Sequence, residues 1–324
     1  MQTNPWADMH SPSAGQFSVK RAETATIWQV FWFRDTDGSV GLLLEIHPAT
    51  SAAMLREANI SIRDVLIDMR HLPDRGILAL AVRLRDASKS DIFFRLCLDL
   101  IDWVNNSVNN ERTFLVVCQR LKKWQSLLAG RTSGLLSGNE VQGLFAELYF
   151  LAELLESGAV SHEAAICGWK GPHNVQQDFI LNDMAVEIKS LTGQHRSSVR
   201  ISSEDQLYSH LDRLFLRVYM LAEVSGASGG ENLNALVRRV SAQIADTALR
   251  DVFEATLDAA GYIDLPEYEQ PHFVVKDCST YHVADSFPRI IRKTLPVGVQ
   301  AVTYDLLLAA IEPFRVSNAE ILEN

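Results

Sequence analysis

Asp178, Glu187 and Lys189 stand in the segment DFILNDMAVEIKSL (178–191), where two mainly apolar runs flank a polar Asn182-Asp183 centre. That pattern predicts a β-hairpin with a two-residue turn, so that Leu181 faces Met184 and Asp178 faces Glu187 across the strands. Period two then places Asp178, Glu187 and Lys189 on one face, and Phe179, Leu181, Val186 and Ile188 on the other, which packs. Opposed like charges destabilise a sheet, so the carboxylate pair makes physical sense chiefly with a cation between its members. Oxygen donors favour Mg²⁺, with Mn²⁺ as a substitute, and Lys189 is placed to orient or deprotonate a water beside it. This is chemistry for phosphodiester hydrolysis. An ordinary amphipathic hairpin, its solvent face neutralised by Lys189, also fits the local pattern.

A third carboxylate comes from the helical run NEVQGLFAELYFLAELLES (139–157). At about 100° per residue Glu147 falls inside the apolar arc of Leu144, Leu148, Leu151 and Leu155, whereas Glu153 and Glu156 fall on the polar face. A carboxylate in an apolar arc costs stability unless it binds a metal or pairs with a base such as an arginine, and both readings stay open. Other motifs are weak. Gly226–Gly230 fits G-x-S-x-G around Ser228 only because the stretch is Ser/Gly-rich, and Gly130, Gly134 and Gly138 lack the lysine of a phosphate-binding loop. His173 and His195 flank the hairpin and are assigned no role.

Together these residues resemble the PD-(D/E)XK nuclease superfamily: a helix bearing Glu147, then Asp178, then Glu187-Ile188-Lys189. W-K-G-P at 169–172, D-F at 178–179, E-I-K-S at 187–190, I-S-S-x-x-Q-L at 201–207 and F-P-R-I at 287–290 resemble, more narrowly, an uncharacterised bacterial family of this type. The resemblance implies an α/β restriction-endonuclease-like mixed-sheet core flanked by helices. It further implies that Asp178, Glu187 and the Ile188 carbonyl hold one divalent ion, with Glu147 completing the site directly or through a water. Lys189 then activates the attacking water, and cleavage leaves a 5′-phosphate and a 3′-hydroxyl. Ser203 and Gln206, in a segment expected to run from strand to helix, fall where many such nucleases contact metal-bound water or the DNA backbone. One departure is Gln177, which stands before Asp178 where the superfamily motif has proline. Members of the family occur with anti-phage and restriction genes, which implies DNA cleavage in defence. The competing class is a silent or partner-dependent DNA-binding scaffold subunit of a multi-protein complex. Glu187 and Lys189 both lie on the charged face, so replacing either by alanine is expected to abolish cleavage and leave the fold intact.

The elements that must position these residues read as three blocks. Residues 1–110 are strand-rich, with runs IWQVFWF, VGLLLEIH, ILALAVRL and DIFFRLCLDL and a hairpin at Asp37-Gly38, and are expected to recognise DNA or a partner. Residues 111–224 form the nuclease core. Residues 225–324 form a mixed, mainly helical region, with SGASGGEN at 225–232 as the boundary. Forty acids against thirty bases give a net charge of -10, which excludes binding DNA through overall basicity and requires a local basic cleft. Two groups offer one. Arg112, Arg120, Lys122, Lys123 and Arg131, with Trp124 among them, face no acid over 112–139, and Lys189, Arg196, Arg200, Arg213 and Arg217 face three acids over 189–217. Four scattered cysteines without a C-x-x-C pair argue against zinc and against a secreted disulfide framework. With no run of about 18 apolar residues, no membrane span and a cytoplasmic location are expected. A homodimer would suit two-strand cutting, though no residue pattern requires it.

Overall fold

The computed structural model describes residues 4–322 apart from 11, 13–17, 25–27, 47–49, 51, 73–75, 107–109, 131–134, 174, 194–196 and 226–228. The chain divides into two compact units, Met1–Leu135 and Leu136–Asn324.

The first unit holds β1 (Ser18–Arg21), β2 (Val30–Arg34), β3 (Val40–Glu45), α1 (Ala52–Leu55), β4 (Val65–Leu72), β5 (Ile77–Leu84), α2 (Ser90–Asn106) and α3 (Asn110–Gly130). Its five strands form one antiparallel sheet in the order β1-β2-β3-β5-β4. The Asp37-Gly38 hairpin is present: Val30 pairs with Leu44 and Arg34 with Val40, and Gly38 supplies the positive φ that the turn needs. DIFFRLCLDL departs from the strand expectation and lies in α2. Phe93, Leu96, Cys97, Leu100, Ile101 and Val104 are its buried apolar residues, a 3.6-residue period that emerges only when the run is followed to Asn106. Residues 111–130 belong with this unit and not with the core. Arg120 of α3 donates to both oxygens of Asp99 on α2, at 2.6 and 2.7 Å, and the Trp124 indole donates to the same carboxylate at 2.7 Å.

The second unit begins with α4 (Gly138–Ser157). Ser137 and Glu140 form a reciprocal capping box at its start, and Gly158 in the left-handed region closes it. Next come α5 (His162–Gly168), β6 (Phe179–Leu181), β7 (Met184–Thr192), β8 (Ser198–Ile201), β9 (Arg213–Val224), β10 (Glu231–Asn232), α6 (Leu233–Gln243) and α7 (Thr247–Ala260). The chain ends with β11 (His272–His282), β12 (Tyr304–Leu307), α8 (Leu308–Ile311), β13 (Arg315–Val316) and α9 (Ala319–Leu322). One mixed sheet runs β10-β11-β9-β7-β6 with β13 added to β11; β7 and β9 are parallel and the other pairs antiparallel. The block 225–324 is thus no separate region, because β11 pairs with β9 from His272↔Val224 to His282↔Phe215. The glycine-rich segment lies between two strands of one sheet.

Both faces of this sheet are covered. On one face Phe150 of α4 meets Phe179 at 4.9 Å between ring centres, and Arg217 stacks over Phe150. On the other, Ala185, Leu191, Leu214, Leu216 and Val218 pack against Val199, Ile201, Phe287 and Leu306, which the two-stranded β8–β12 ribbon and the 283–287 segment bring across. This second layer covers the strand face that carries Glu187 and Lys189, so the expectation of one packed and one open charged face is corrected.

Candidate active site

The hairpin register places the acids together. Phe179↔Val186, Ile180↔Ala185 and Leu181↔Met184 are paired around the Asn182-Asp183 turn, as the sequence predicts. Asp178, one residue before β6, turns its Oδ2 onto the Ile188 backbone N–H at 2.7 Å. Glu187 is 0% exposed; its Oε1 accepts from Lys189 Nζ at 2.6 Å, and its buried Oε2 has no hydrogen-bond partner. Glu147 approaches from α4, where its Oε2 accepts from the Trp169 indole at 2.7 Å. Of the two readings of Glu147, pairing with an arginine is not what the structure holds.

Trp169 and Gly171 are the residues that sequence reasoning missed, although W-K-G-P contained both. The Lys170 and Gly171 N–H groups donate to the Asp178 carbonyl at 2.7 and 3.0 Å, which sets this segment against the carboxylates. A Cβ on Gly171 would run into Glu147 Oε2 and lie 3.0 Å from Asp178 Oδ1, so only glycine leaves room for both acids.

Electrostatics follow from burial. Desolvation first, then the neighbouring Asp178 and Glu187 charges, push the Glu147 carboxyl well up, against the indole hydrogen bond. Asp178 is raised by burial, although Lys189 and the Ile188 N–H oppose the shift. Glu187 is pushed up to about 8 by burial and by Asp178, against Lys189. Lys189 itself is held above its usual value, because Glu187, Asp178 and Glu147 outweigh its own desolvation. Three carboxylates against one ammonium leave two negative charges in excess if all ionise, which a buried site does not tolerate unbalanced.

A cleft of about 720 Å³ opens beside this cluster. Its walls include Asn139, Gln142 and Glu147 of α4, Asp178, Ile188 and Lys189 at the hairpin, and Arg200, Ser202, Gln206 and Asp305 around β8 and β12. Gln206 Oε1 accepts from the Ser202 N–H at 2.8 Å and lies 3.4 Å from Lys189 Nζ. Ser203 is turned to its own backbone, its Oγ accepting from Asp205 N–H at 3.2 Å; Ser202 lines the cleft in its place. The segment after β8 is a turn and not the start of a helix.

Of the two basic groups, little reaches the cleft. Arg200 lines it and is exposed. Arg217 is buried, bonded to Glu153 at 2.9 Å, Tyr219 at 2.8 Å and Thr280 at 2.9 Å. Glu153, placed on the polar face by the helical wheel, is half-buried and pairs with this buried guanidinium. Arg213 pairs with Asp183 at 3.6 Å and stacks over Phe215. In the first unit Arg120 is buried on Asp99 and Lys122 pairs with Glu57 at 2.5 Å; Lys123 lies on the same helix. Arg131, Arg196, His195 and Ser228 lie outside the described residues, as does the Arg112 side chain.

The sequence model of the family described as "Putative PD-(D/E)XK family member, (DUF4420)" matches residues 2–309. The chain belongs to this family. The mixed sheet flanked by helices agrees with the restriction-endonuclease-like fold that the resemblance implies. No curated protein and no solved structure matches the chain.

The donor set suits a hard divalent cation. Among the described residues no group of three His, Cys, Asp or Glu side chains could hold one ion. Asp178, Glu187 and the Ile188 carbonyl, with Glu147, could hold such an ion, which suits one that keeps several waters beside one or two carboxylates. The observation that carries the fit is the orphaned, buried Glu187 Oε2.

Proposed function

We propose that this chain is a divalent-cation-dependent nuclease that hydrolyses phosphodiester bonds in DNA, in bacterial restriction or anti-phage defence. The observation that carries the reading is the cluster of three carboxylates and one lysine: Glu147, Asp178 and Lys189 line a polar cleft, and Glu187 lies fully buried beside Lys189 with its Oε2 unpartnered. Mg²⁺, or Mn²⁺ in its place, would be held by Asp178, Glu187 and the Ile188 carbonyl and would supply Lewis-acid stabilisation of a charged phosphate. The chain's own groups do the rest. Glu187 and Asp178 keep Lys189 charged, so its ammonium acts as a donor that orients the attacking water and attracts the phosphate. Gln206, on the Lys189 side of the cleft, holds the backbone or that water, and Arg200 adds a second positive charge to the cleft wall. Trp169 holds Glu147 against the cluster. The first unit recognises target DNA or a partner.

Among the described residues no helix is long and apolar enough to cross a membrane. The test is incubation of the purified protein with plasmid, linear DNA and RNA in Mg²⁺, Mn²⁺ or EDTA, beside Glu187→Gln. Metal-dependent cutting that the variant loses supports the reading; absence of cutting in every metal moves it to the partner-dependent subunit.

A further inference from the structure

Four successive carbonyls, those of Asp205, Gln206, Leu207 and Tyr208, are bonded by two side chains from distant parts of the second unit. Gln177 Nε2 lies 3.1, 3.2 and 2.8 Å from the carbonyl oxygens of Asp205, Gln206 and Tyr208, and Arg289 Nη1 donates to the Leu207 carbonyl at 2.8 Å. A helix after β8 would have satisfied such carbonyls internally, but here the chain forms a turn with two backbone bonds of its own, Gln206 N–H to Ser203 O and Tyr208 N–H to Asp205 O. The turn therefore depends on groups outside it. Gln177 is only 4% exposed and immediately precedes Asp178, at the position of the proline in the superfamily motif. A proline there would have no amide donor to offer.

We propose that Gln177 is a positioning residue: its amide ties the turn carrying Gln206 to the strand entry carrying Asp178, and so holds Gln206 Oε1 against Lys189 and the Ser202 N–H. This rests on the nuclease reading for its effect on cleavage, whereas the tie itself is independent of that reading. Arg289, from the F-P-R-I segment, braces the same turn through the Leu207 carbonyl. A cleft wall built from an unsupported turn would leave Gln206 free to swing, and a misplacement of about 1 Å is enough to cost a large factor in rate.

The experiment uses Gln177→Met, which keeps length and volume and removes both donors. Native-state amide exchange should rise about tenfold or more at residues 205–208, while exchange in β7 stays as in the wild type. With DNA as substrate, kcat should fall about tenfold at unchanged KM, as expected when one hydrogen-bonded group loses its position. In a Gln206→Ala background the same substitution should cost nothing further, because residues acting as a unit are non-additive. Unchanged exchange in the turn overturns the tie. Additive losses with Gln206→Ala make Gln177 merely structural and overturn its positioning role. If the wild type cuts nothing in any metal, the nuclease reading fails by itself and the exchange measurement still decides the tie. Should Gln177→Met not fold, Gln177→Asn, too short to reach the carbonyls, takes its place with the same outcomes.

Discussion

Replacing Glu187 by glutamine should make the metal-free protein more stable at neutral pH while abolishing its chemistry. Glu187 is fully enclosed, one oxygen has no donor, and burial with the Asp178 charge pushes its carboxyl from an ordinary 4.5 to about 8. Between those values the unfolded chain has released this proton and the folded chain has kept it, so stability is fully present below 4.5 and falls as pH rises through 8. Each pH unit in that window costs about 1.4 kcal/mol, which puts the ceiling at pH 7 near 3 kcal/mol. Glutamine removes the titration and keeps an oxygen that can accept from Lys189, losing only the ionic part of that 2.6 Å bond, so a net gain of about 1–2 kcal/mol is expected. For a unit of this size that is roughly 2–8 °C in Tm. Thermal melts in EDTA from pH 5 to 8.5 should show the two proteins coinciding near pH 5 and separating as pH rises. In both proteins Glu147 and Asp178 add a fall in the same direction, because both are raised by burial. Saturating Mg²⁺ should raise the wild-type Tm by linkage, by about 2.7 kcal/mol at a hundredfold excess over Kd, and raise the variant less. A wild type whose Tm is flat from pH 5 to 8, or a variant less stable than it at pH 7, would refute the reasoning.

Three further perturbations separate the roles assigned above. Gly171→Ala drives a methyl into Glu147 Oε2 and should weaken Mn²⁺ binding about tenfold or more, read by calorimetry, with α4 still formed by circular dichroism. Arg217→Met removes the bonds of a buried guanidinium to Glu153, Tyr219 and Thr280 and should cost about 1–3 kcal/mol in urea melts, yet leave the salt dependence of DNA binding unchanged, because Arg217 does not reach the cleft. Arg200→Ala should do the reverse: a Tm within about 1 °C of the wild type, but weaker DNA binding at every sequence and a salt slope smaller by about one.

How much of this was legible in the chain differs from residue to residue. The hairpin register and the meeting of Asp178 with the 187–189 strand were readable, because a two-residue turn and a period of two leave no freedom in the pairing. Glu147 was readable as an outlier for the same kind of reason, since 3.6-residue periodicity assigns every side chain of α4 a direction before its partner is known. DIFFRLCLDL was misread as strand because ten residues of a dense apolar run carry both periods, and only the full length of α2 separates them.

The sequence by itself determined which residues could do chemistry and which strand they share, because local periodicity and turn geometry act within a few residues. Tertiary structure alone decided what surrounds them. The layer of β8, β12 and the 283–287 segment that encloses Glu187 comes partly from chain a hundred residues downstream, and its desolvation is what turns an ordinary carboxylate into one pushed up to about 8. The same holds for Trp169 reaching Glu147, for Arg217 folding inward onto Glu153, and for Gln177 finding three carbonyls on a turn some thirty residues away. Burial and hydrogen-bond partnership are properties of packed neighbours, and no period along the chain encodes who those neighbours will be.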